Sequence, residues 1–282
     1  MPLSRLRLWI LPVIFWMASA ICLPAQEEPK LSEEQMREFL LNAKVLKAKN
    51  TPKGVTSPFQ LTLSDGNITH DAAFQRINEY KMVMEFGDGH KEMNFHDSYK
   101  YDIAAYELAK LLGLGDMMPV TVERKWRGDS GAMSWWLPVT MDEATRLKKK
   151  IEPPDVDAWN KQMYKKRIFG ELVYDTDPNL TNVLISADWH LWMIDFSRAF
   201  RIYKELRDSK NVTESKCERQ LLERLRKLDR NEFAQRTKGL LTKDEIDGVM
   251  ARRDKIVAIY EGLIAKKGEK EVLYDDPIAK KQ

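Results

Sequence analysis

Residues 172–200 constrain the fold of this chain more than any other stretch. Two apolar runs, at 183–185 and 191–194, flank a polar tip at 186–188. Short apolar runs separated by a few polar residues are typical of a β-hairpin. The stretch is therefore predicted to form two antiparallel strands joined by a tight connection.

Oxygen-bearing side chains stand just outside both ends of this predicted hairpin. Asp177 and Asn182 precede the first strand, and Asp195 follows the second. Because a hairpin brings its two ends together, we expect these three side chains to lie close to one another. Carboxylate and amide oxygens that converge on a loop suit a hard divalent cation and a phosphate group.

A calcium-binding loop is excluded by the same residues. Asp175, Asp177 and Asn179 occupy the first, third and fifth positions of an EF-hand pattern. That pattern also requires glycine at the sixth position and glutamate at the twelfth, where this chain has Leu180 and Ser186. A surface turn rich in aspartate and asparagine remains the alternative interpretation.

The spacing of these residues matches a catalytic loop. Asp177 and Asn182 are five positions apart (182 − 177 = 5), the separation of the base and the metal-binding asparagine in kinases. Asp195 is followed by Phe196 and Ser197, where a kinase has Asp-Phe-Gly. This order of features resembles the protein-kinase-like fold. The sequence of this stretch is similar to those of the atypical branches of that fold. These are the HipA-type bacterial kinases, the phosphatidylinositol kinases and the secretory-pathway kinases of the Golgi casein kinase family.

The resemblance implies an α+β fold of two lobes, with a small β-rich N-lobe and a mainly helical C-lobe. It also implies that Asp177 is the base that accepts the proton of an acceptor hydroxyl. Asn182 and Asp195 would hold Mg²⁺ or Mn²⁺ against ATP.

Two residues of the N-lobe are assigned by the same resemblance. Lys81 lies in the middle of an alternating run at 78–86, like the phosphate-binding lysine on the third strand of a kinase; a solvent-facing lysine is the alternative. The helix predicted at 97–113 is similar to the one that supplies the acid partner of that lysine. Asp102 stands where relatives have glutamate, so the shorter side chain makes the pair with Lys81 closer, water-bridged or absent.

A phosphate-covering loop is predicted at 53–57. Gly54 precedes two hydroxyl residues, of which Thr56 is the first, and backbone N–H groups there would face phosphates. An ordinary loop is the alternative. Further along, Trp135 and Trp136 would either sandwich a purine or pack in the core.

The N-terminus predicts export. Arg5 and Arg7 precede an uncharged stretch at 8–25 with a short apolar core and small residues after it. This layout is typical of a signal peptide, with cleavage after Ala20 or Ala25. An uncleaved anchor is the alternative, and it would be the only contact with a membrane. The protein is thus predicted to be periplasmic or secreted.

The composition limits the classes of binding partner that the sequence predicts. A net charge of +3 is too small to argue for nucleic acid, and the lysine runs are typical of solvated helix faces. After cleavage at Ala25 only Cys217 would remain, so no intramolecular disulfide could form in that product. A glycosylation sequon at Asn179 falls inside the predicted catalytic loop, which favours a bacterial source.

The predicted organisation is a signal peptide at 1–25, a linker and N-terminal helix at 26–50, an N-lobe at 51–147, a C-lobe at 148–265 and a polar tail at 266–282. The predicted function is an ATP- and metal-dependent phosphotransferase that acts on a protein, sugar or lipid hydroxyl outside the cytoplasm. Two alternatives remain. One is a nucleotide-binding pseudokinase, which the shortened acid at Asp102 and the scarcity of extracellular ATP favour. The other is a membrane-tethered interaction protein that uses its charged C-terminal helices.

Overall fold

A computed structural model of the protein describes residues 31–50 and 58–276. The predicted signal peptide, and Gly54 and Thr56 of the predicted phosphate-covering loop, lie outside these ranges. Within them, the strands are β1 (Lys44–Asn50), β2 (Phe59–Ser64), β3 (Thr69–Gln75), β4 (Asn78–Glu85), β5 (Lys91–Ser98), β6 (Thr121–Trp126), β7 (Asp129–Trp135), β8 (Val139–Asp142), β9 (Val183–Ser186), β10 (Leu191–Met193), β11 (Cys217–Glu218) and β12 (Leu273–Tyr274).

The helices lie mostly in the C-terminal half. They are α1 (Glu33–Asn42), α2 (Tyr99–Leu111), α3 (Glu143–Lys148), α4 (Val156–Val173), α5 (Lys210–Thr213), α6 (Arg219–Lys227), α7 (Arg230–Arg236), α8 (Lys243–Lys267) and α9 (Glu269–Val272), with 3-10 helices at Gly115–Met117 and Leu180–Asn182. In the part of the chain that the structure describes, no helix has the length and apolar character needed to cross a bilayer.

The N-terminal half is built on an antiparallel sheet in the order β1-β2-β3-β7-β6. Alternating side chains of β2 and β3 are buried, among them Leu61, Leu63 and Phe74, as the period of a half-buried strand requires. Gly131 of β7 permits a close approach, since a Cβ there would lie 2.5 Å from the carbonyl oxygen of Gln75. The hairpin β4–β5 forms a separate two-stranded sheet between β3 and α2 in the chain.

The prediction of a helix through residue 49 is wrong at its C-terminal end. Helix α1 stops at Asn42, and residues 44–50 pair with β2 as an edge strand. Arg124 on β6 explains the stop, because its guanidinium donates to the carbonyl oxygens of Leu40 and Ala43, each at 2.6 Å. Carbonyl groups at the end of a helix need such partners.

Helices dominate the C-terminal half, where α4 leads into the predicted catalytic loop. Asp155 caps α4 by accepting the amide of Ala158, and the helix ends at Tyr174, whose φ of 52° turns the chain away. The predicted hairpin follows as β9 and β10, with Leu191 opposite Ile185 and Met193 opposite Val183. Strand β8 adds to it to make a three-stranded sheet.

The described residues of the polar tail predicted at 266–282 include regular structure. Residues 269–274 form α9 and β12, and β12 pairs in parallel with β11. Val272 and Leu273 are buried, and this burial holds the segment on the C-terminal half.

Candidate active site

The predicted catalytic loop is held in shape by hydrogen bonds within it and to the segment that contains Arg198. Asp175 is buried, and its carboxylate accepts the amide of Asp177 at 2.9 Å. The amide and hydroxyl of Thr176 both donate to the carbonyl oxygen of Arg198, at 3.3 and 2.9 Å. Asp177 itself keeps 46% of its side chain exposed. The loop therefore presents one carboxylate to solvent on a fixed backbone.

The structure brings Asn182 and Asp195 together, as the hairpin pattern predicts. Asn182 ends a 3-10 helix that Asn179 caps by accepting the amide of Thr181 at 2.9 Å. The amide of Ile194 donates to the carbonyl oxygen of Asn182 at 3.1 Å. Asp195 is the next residue and therefore lies beside Asn182. Asp195 has a φ of 61°, a conformation that a non-glycine residue adopts only where its surroundings require it.

Asp102 lies at the same point, on α2. Its carboxylate accepts the amide of Phe196 at 2.7 Å. Burial and the negative charge of Asp195 raise the pKa of Asp102 well above its ordinary range. Partial burial, followed by the charges of Asp97 and Asp177, likewise raises the pKa of Asp195, although that side chain reaches solvent. The site therefore brings together carboxyl groups whose negative forms disfavour one another.

Asp97 is a member of this cluster that the sequence reasoning missed. It lies at the end of β5, and burial raises its pKa. The Ser197 hydroxyl interacts with it and also donates to Asp195 at 3.1 Å. One Asp97 oxygen is buried without a hydrogen-bond partner among the described residues. The available signal was an acid five positions before Asp102 (102 − 97 = 5), at the junction of strand and helix.

Lys81 and Asp102 form no direct ion pair in the described part of the chain, which is one of the outcomes expected from the shorter acid: closer, water-bridged or absent. The Lys81 ammonium lies 2.7 Å from Glu79, with 42% of the side chain exposed. The charges that act on Asp102 come from Asp195 and Asp97, and both are negative. The physical reason is topological: β4 belongs to the separate β4–β5 hairpin and not to the five-stranded sheet.

Arginine side chains from the segment after Asp195 complete the site. Arg198 contacts Glu92 at 2.5 Å and Asp177 at 3.4 Å. Arg201 contacts the other oxygen of Glu92, also at 2.5 Å. Sequence reasoning missed these contacts as well, because Glu92 is more than a hundred positions from both arginines (198 − 92 = 106).

The remaining candidates do not gather here. Trp135 stacks on His70 with ring centroids 3.8 Å apart and meets Phe39 edge-on, so it packs within the N-terminal half. An open cleft of about 690 Å³ lies at the base of the β4–β5 hairpin, lined by Arg76, Ile77, Asn78, Glu79, Tyr99, Asp129 and Ser130. None of the predicted site residues that the structure describes lines it.

The carboxyl groups around Asp195 could bind a cation only together with other ligands. Among residues 31–50 and 58–276, no group of three or more histidine, cysteine, aspartate or glutamate side chains is arranged to hold a metal ion by itself. The unpartnered oxygen of Asp97 and the nearby Asn182 are oxygen donors of the kind that Mg²⁺ and Mn²⁺ prefer. An ion there would complete its coordination with phosphate oxygens or water.

Comparison with known proteins supports the fold. No protein-family model matches the chain, and no curated protein does. Among solved structures, that of hydra Fam20 with sugar superposes with a TM-score of 0.63 at 15% identity, covering 86% of this chain and 92% of that one. The Golgi casein kinase gives 0.59 at 13%, covering 87% and 80%. The Helicobacter pylori proinflammatory kinase CtkA gives 0.50 at 9%, covering 83% and 98%. The chain has an atypical kinase-like α+β fold, as the sequence predicts.

Proposed function

We propose that this protein is an ATP- and divalent-metal-dependent phosphotransferase that acts on a hydroxyl acceptor outside the cytoplasm. The observation that carries the proposal is the placement of Asn182 beside Asp195, with the charge of Asp177 acting on Asp195, in a kinase-like fold. Phosphoryl transfer requires positioned groups and neutralised charge more than covalent chemistry by the protein. An aspartate, an asparagine and a second aspartate, in this order along the chain, would supply the positioned groups and would hold the cation that neutralises charge.

Asp177 would be the base. Its carboxylate is exposed enough to meet an acceptor hydroxyl and is oriented by Arg198 at 3.4 Å. Its backbone is fixed by Asp175 at 2.9 Å. A base must lie within hydrogen-bonding reach of the proton it accepts, and a fixed loop meets that requirement for an acceptor bound in front of it.

Asn182, Asp195 and Asp97 would hold Mg²⁺ or Mn²⁺. When bound, the ion neutralises the phosphate oxygens of ATP during transfer. The unpartnered Asp97 oxygen and the mutual repulsion between Asp97 and Asp195 favour a cation at this point. Asp102 would support the metal site by holding the Phe196 amide at 2.7 Å, rather than by pairing with a lysine.

The phosphates would be covered by the loop that contains Gly54 and Thr56, which is proposed from sequence alone. Lys81 would contact the phosphates of ATP only after its ion pair with Glu79 is broken. The proposed acceptor is a protein, sugar or lipid hydroxyl, and the proposed compartment follows from the signal-peptide layout at residues 1–25.

A pseudokinase is the second candidate. The observation that favours it is the carboxylate of Asp102, which has the Phe196 amide as its hydrogen-bond partner and feels only negative charges. A protein kinase depends on the corresponding lysine–acid pair for turnover. Without that pair, the site would bind nucleotide and metal but transfer little phosphate.

One experiment separates these readings. The protein is heated with ATP, with MgCl₂ or MnCl₂, and with both, and is then incubated with γ-labelled ATP and candidate acceptors. Ligand at about 100 times its dissociation constant adds roughly 2.7 kcal/mol, or about 5 to 10 °C for a domain of this size. No shift with metal and ATP together would refute nucleotide binding. A shift without any labelled acceptor or self-labelling would favour the pseudokinase.

A further inference from the structure

The β4–β5 hairpin builds a socket for Arg198. The guanidinium of Arg198 lies 5.2 Å from the ring centroid of Phe86 and 5.3 Å from that of Phe95. The carboxylate of Glu92, also on β5, lies 2.5 Å from it. Stacked aromatic faces and a carboxylate are the groups that hold an arginine in a single orientation.

Glu92 also holds a second arginine. Its other oxygen accepts from Nε and Nη2 of Arg201, at 3.1 and 2.5 Å. The Glu92 side chain is 14% exposed and that of Arg201 only 4%. One nitrogen of each arginine is buried without a hydrogen-bond partner among the described residues. Both guanidiniums therefore depend on Glu92, since buried charges need a counter-charge close by.

Both arginines in turn contact the catalytic loop. Arg198 reaches Asp177 at 3.4 Å through its side chain, and its carbonyl oxygen accepts from Thr176 at 2.9 Å. Arg201 donates to the Thr176 hydroxyl at 3.4 Å. A continuous set of contacts thus joins Glu92 on the hairpin to the carboxylate at position 177.

We propose that Glu92 is a positioning residue for Asp177. The hairpin carboxylate fixes Arg198 and Arg201, and these fix the loop on which Asp177 stands. The role of Asp177 as a base rests on the proposed function; the mechanical link does not. A shift of the β4–β5 hairpin would therefore move the catalytic loop. A displacement of about 1 Å at a reacting group costs on the order of 100-fold in rate.

The first test needs no activity. Hydrogen–deuterium exchange is measured on peptides that cover residues 174–182 in the full chain, in the wild type and in Glu92→Gln. We expect exchange there to be about tenfold faster in Glu92→Gln, because the arginines lose their shared anchor. The matched control is Glu85→Gln, which breaks an exposed ion pair with Lys91 on the same hairpin. Its loop exchange should equal that of the wild type.

A second variant keeps this test decisive if Glu92→Gln does not fold. Arg198→Lys retains a positive charge in the socket but lacks the fork that joins Glu92 to Asp177. It should speed exchange of the same peptides. Unchanged exchange at 174–182 in whichever folded variant is measured, or equal acceleration in Glu85→Gln, would overturn the proposal.

The kinetic test applies once an acceptor is known. Glu92→Gln should lower kcat by about 10- to 100-fold while the KM for ATP stays within about threefold, since nucleotide contacts lie elsewhere. The double variant Glu92→Gln/Arg198→Lys should be no slower than Arg198→Lys alone, within about threefold, because coupled residues are not additive. Additive losses would overturn the link. A wild type without phosphotransfer would refute the proposed function, and the exchange result would still decide this inference.

Discussion

Replacing Asp175 by asparagine should make the stability of the protein less dependent on pH. The Asp175 side chain is 5% exposed, and burial raises the pKa of its carboxyl from 3.8 to about 6. An acid with a raised pKa holds its proton more tightly in the folded state. Its contribution is therefore fully present below pH 3.8 and is lost as the pH rises through about 6.

The size of the effect follows from that pKa. A change from 3.8 to about 6 corresponds to a loss of about 3 kcal/mol at neutral pH. Asparagine carries no charge and can still accept the amide of Asp177. The gain is an upper limit, because Lys166, whose pKa burial lowers, loses the favourable charge of Asp175.

Urea unfolding between pH 4.5 and 7.5, followed by tryptophan fluorescence and linear extrapolation, measures this difference. The advantage of Asp175→Asn over the wild type should be small at the acid end and grow towards neutral pH. The other acids of the site are common to both proteins and cancel in the difference. Asp188→Asn at the exposed hairpin tip is the control and should show no such gain. An advantage that does not change with pH would refute the reasoning.

Further predictions concern the metal, the base, the α2 acid and export. Asp177→Asn should lower turnover by at least about 100-fold, the range for loss of a general base, with ATP affinity unchanged in a binding assay. Asp195→Ala and Asp97→Asn should abolish the metal-dependent ATP shift in melting temperature, and Asp188→Ala should keep it. Asp102→Asn should retain that shift because it still accepts the Phe196 amide, whereas Asp102→Ala should lower stability by about 1 to 3 kcal/mol in urea unfolding. N-terminal sequencing of protein from its native host should begin after residue 20 or 25; an intact start in a soluble cytoplasmic fraction would refute export.

The sequence predicts the structural features that are formed by residues close to one another along the chain. The β9–β10 hairpin and the approach of Asn182 to Asp195 depend on residues within a single stretch. Helix α2 is equally local, with Ser98 as its cap. In each case the pattern of apolar residues and the turn chemistry act over fewer than twenty positions, so no knowledge of tertiary structure is needed.

Contacts between distant segments are what the sequence does not predict. Period-two alternation identifies β4 as a strand but does not say which sheet it joins, so the sequence does not decide whether Lys81 contacts Asp102. The end of α1 is set by Arg124 on a distant strand. Glu92 carries no motif, and its role emerges only when the hairpin folds over Arg198.

Under the proposed function, the charge balance of the site would favour metal-bound over free nucleotide. Asp97 acts as a like charge on Asp102 and Asp195, as does Asp195 on Asp102, and Arg198 and Arg201, the cations that act on Asp97, are held by Glu92. ATP alone would bring further negative charge to carboxylates that are already destabilised. A divalent ion relieves that repulsion and the phosphate charge together, which an added lysine would do only in part. If the site has the proposed function, we therefore expect metal and nucleotide to bind as a pair, with the ion supplying part of the positive charge that a lysine supplies in protein kinases.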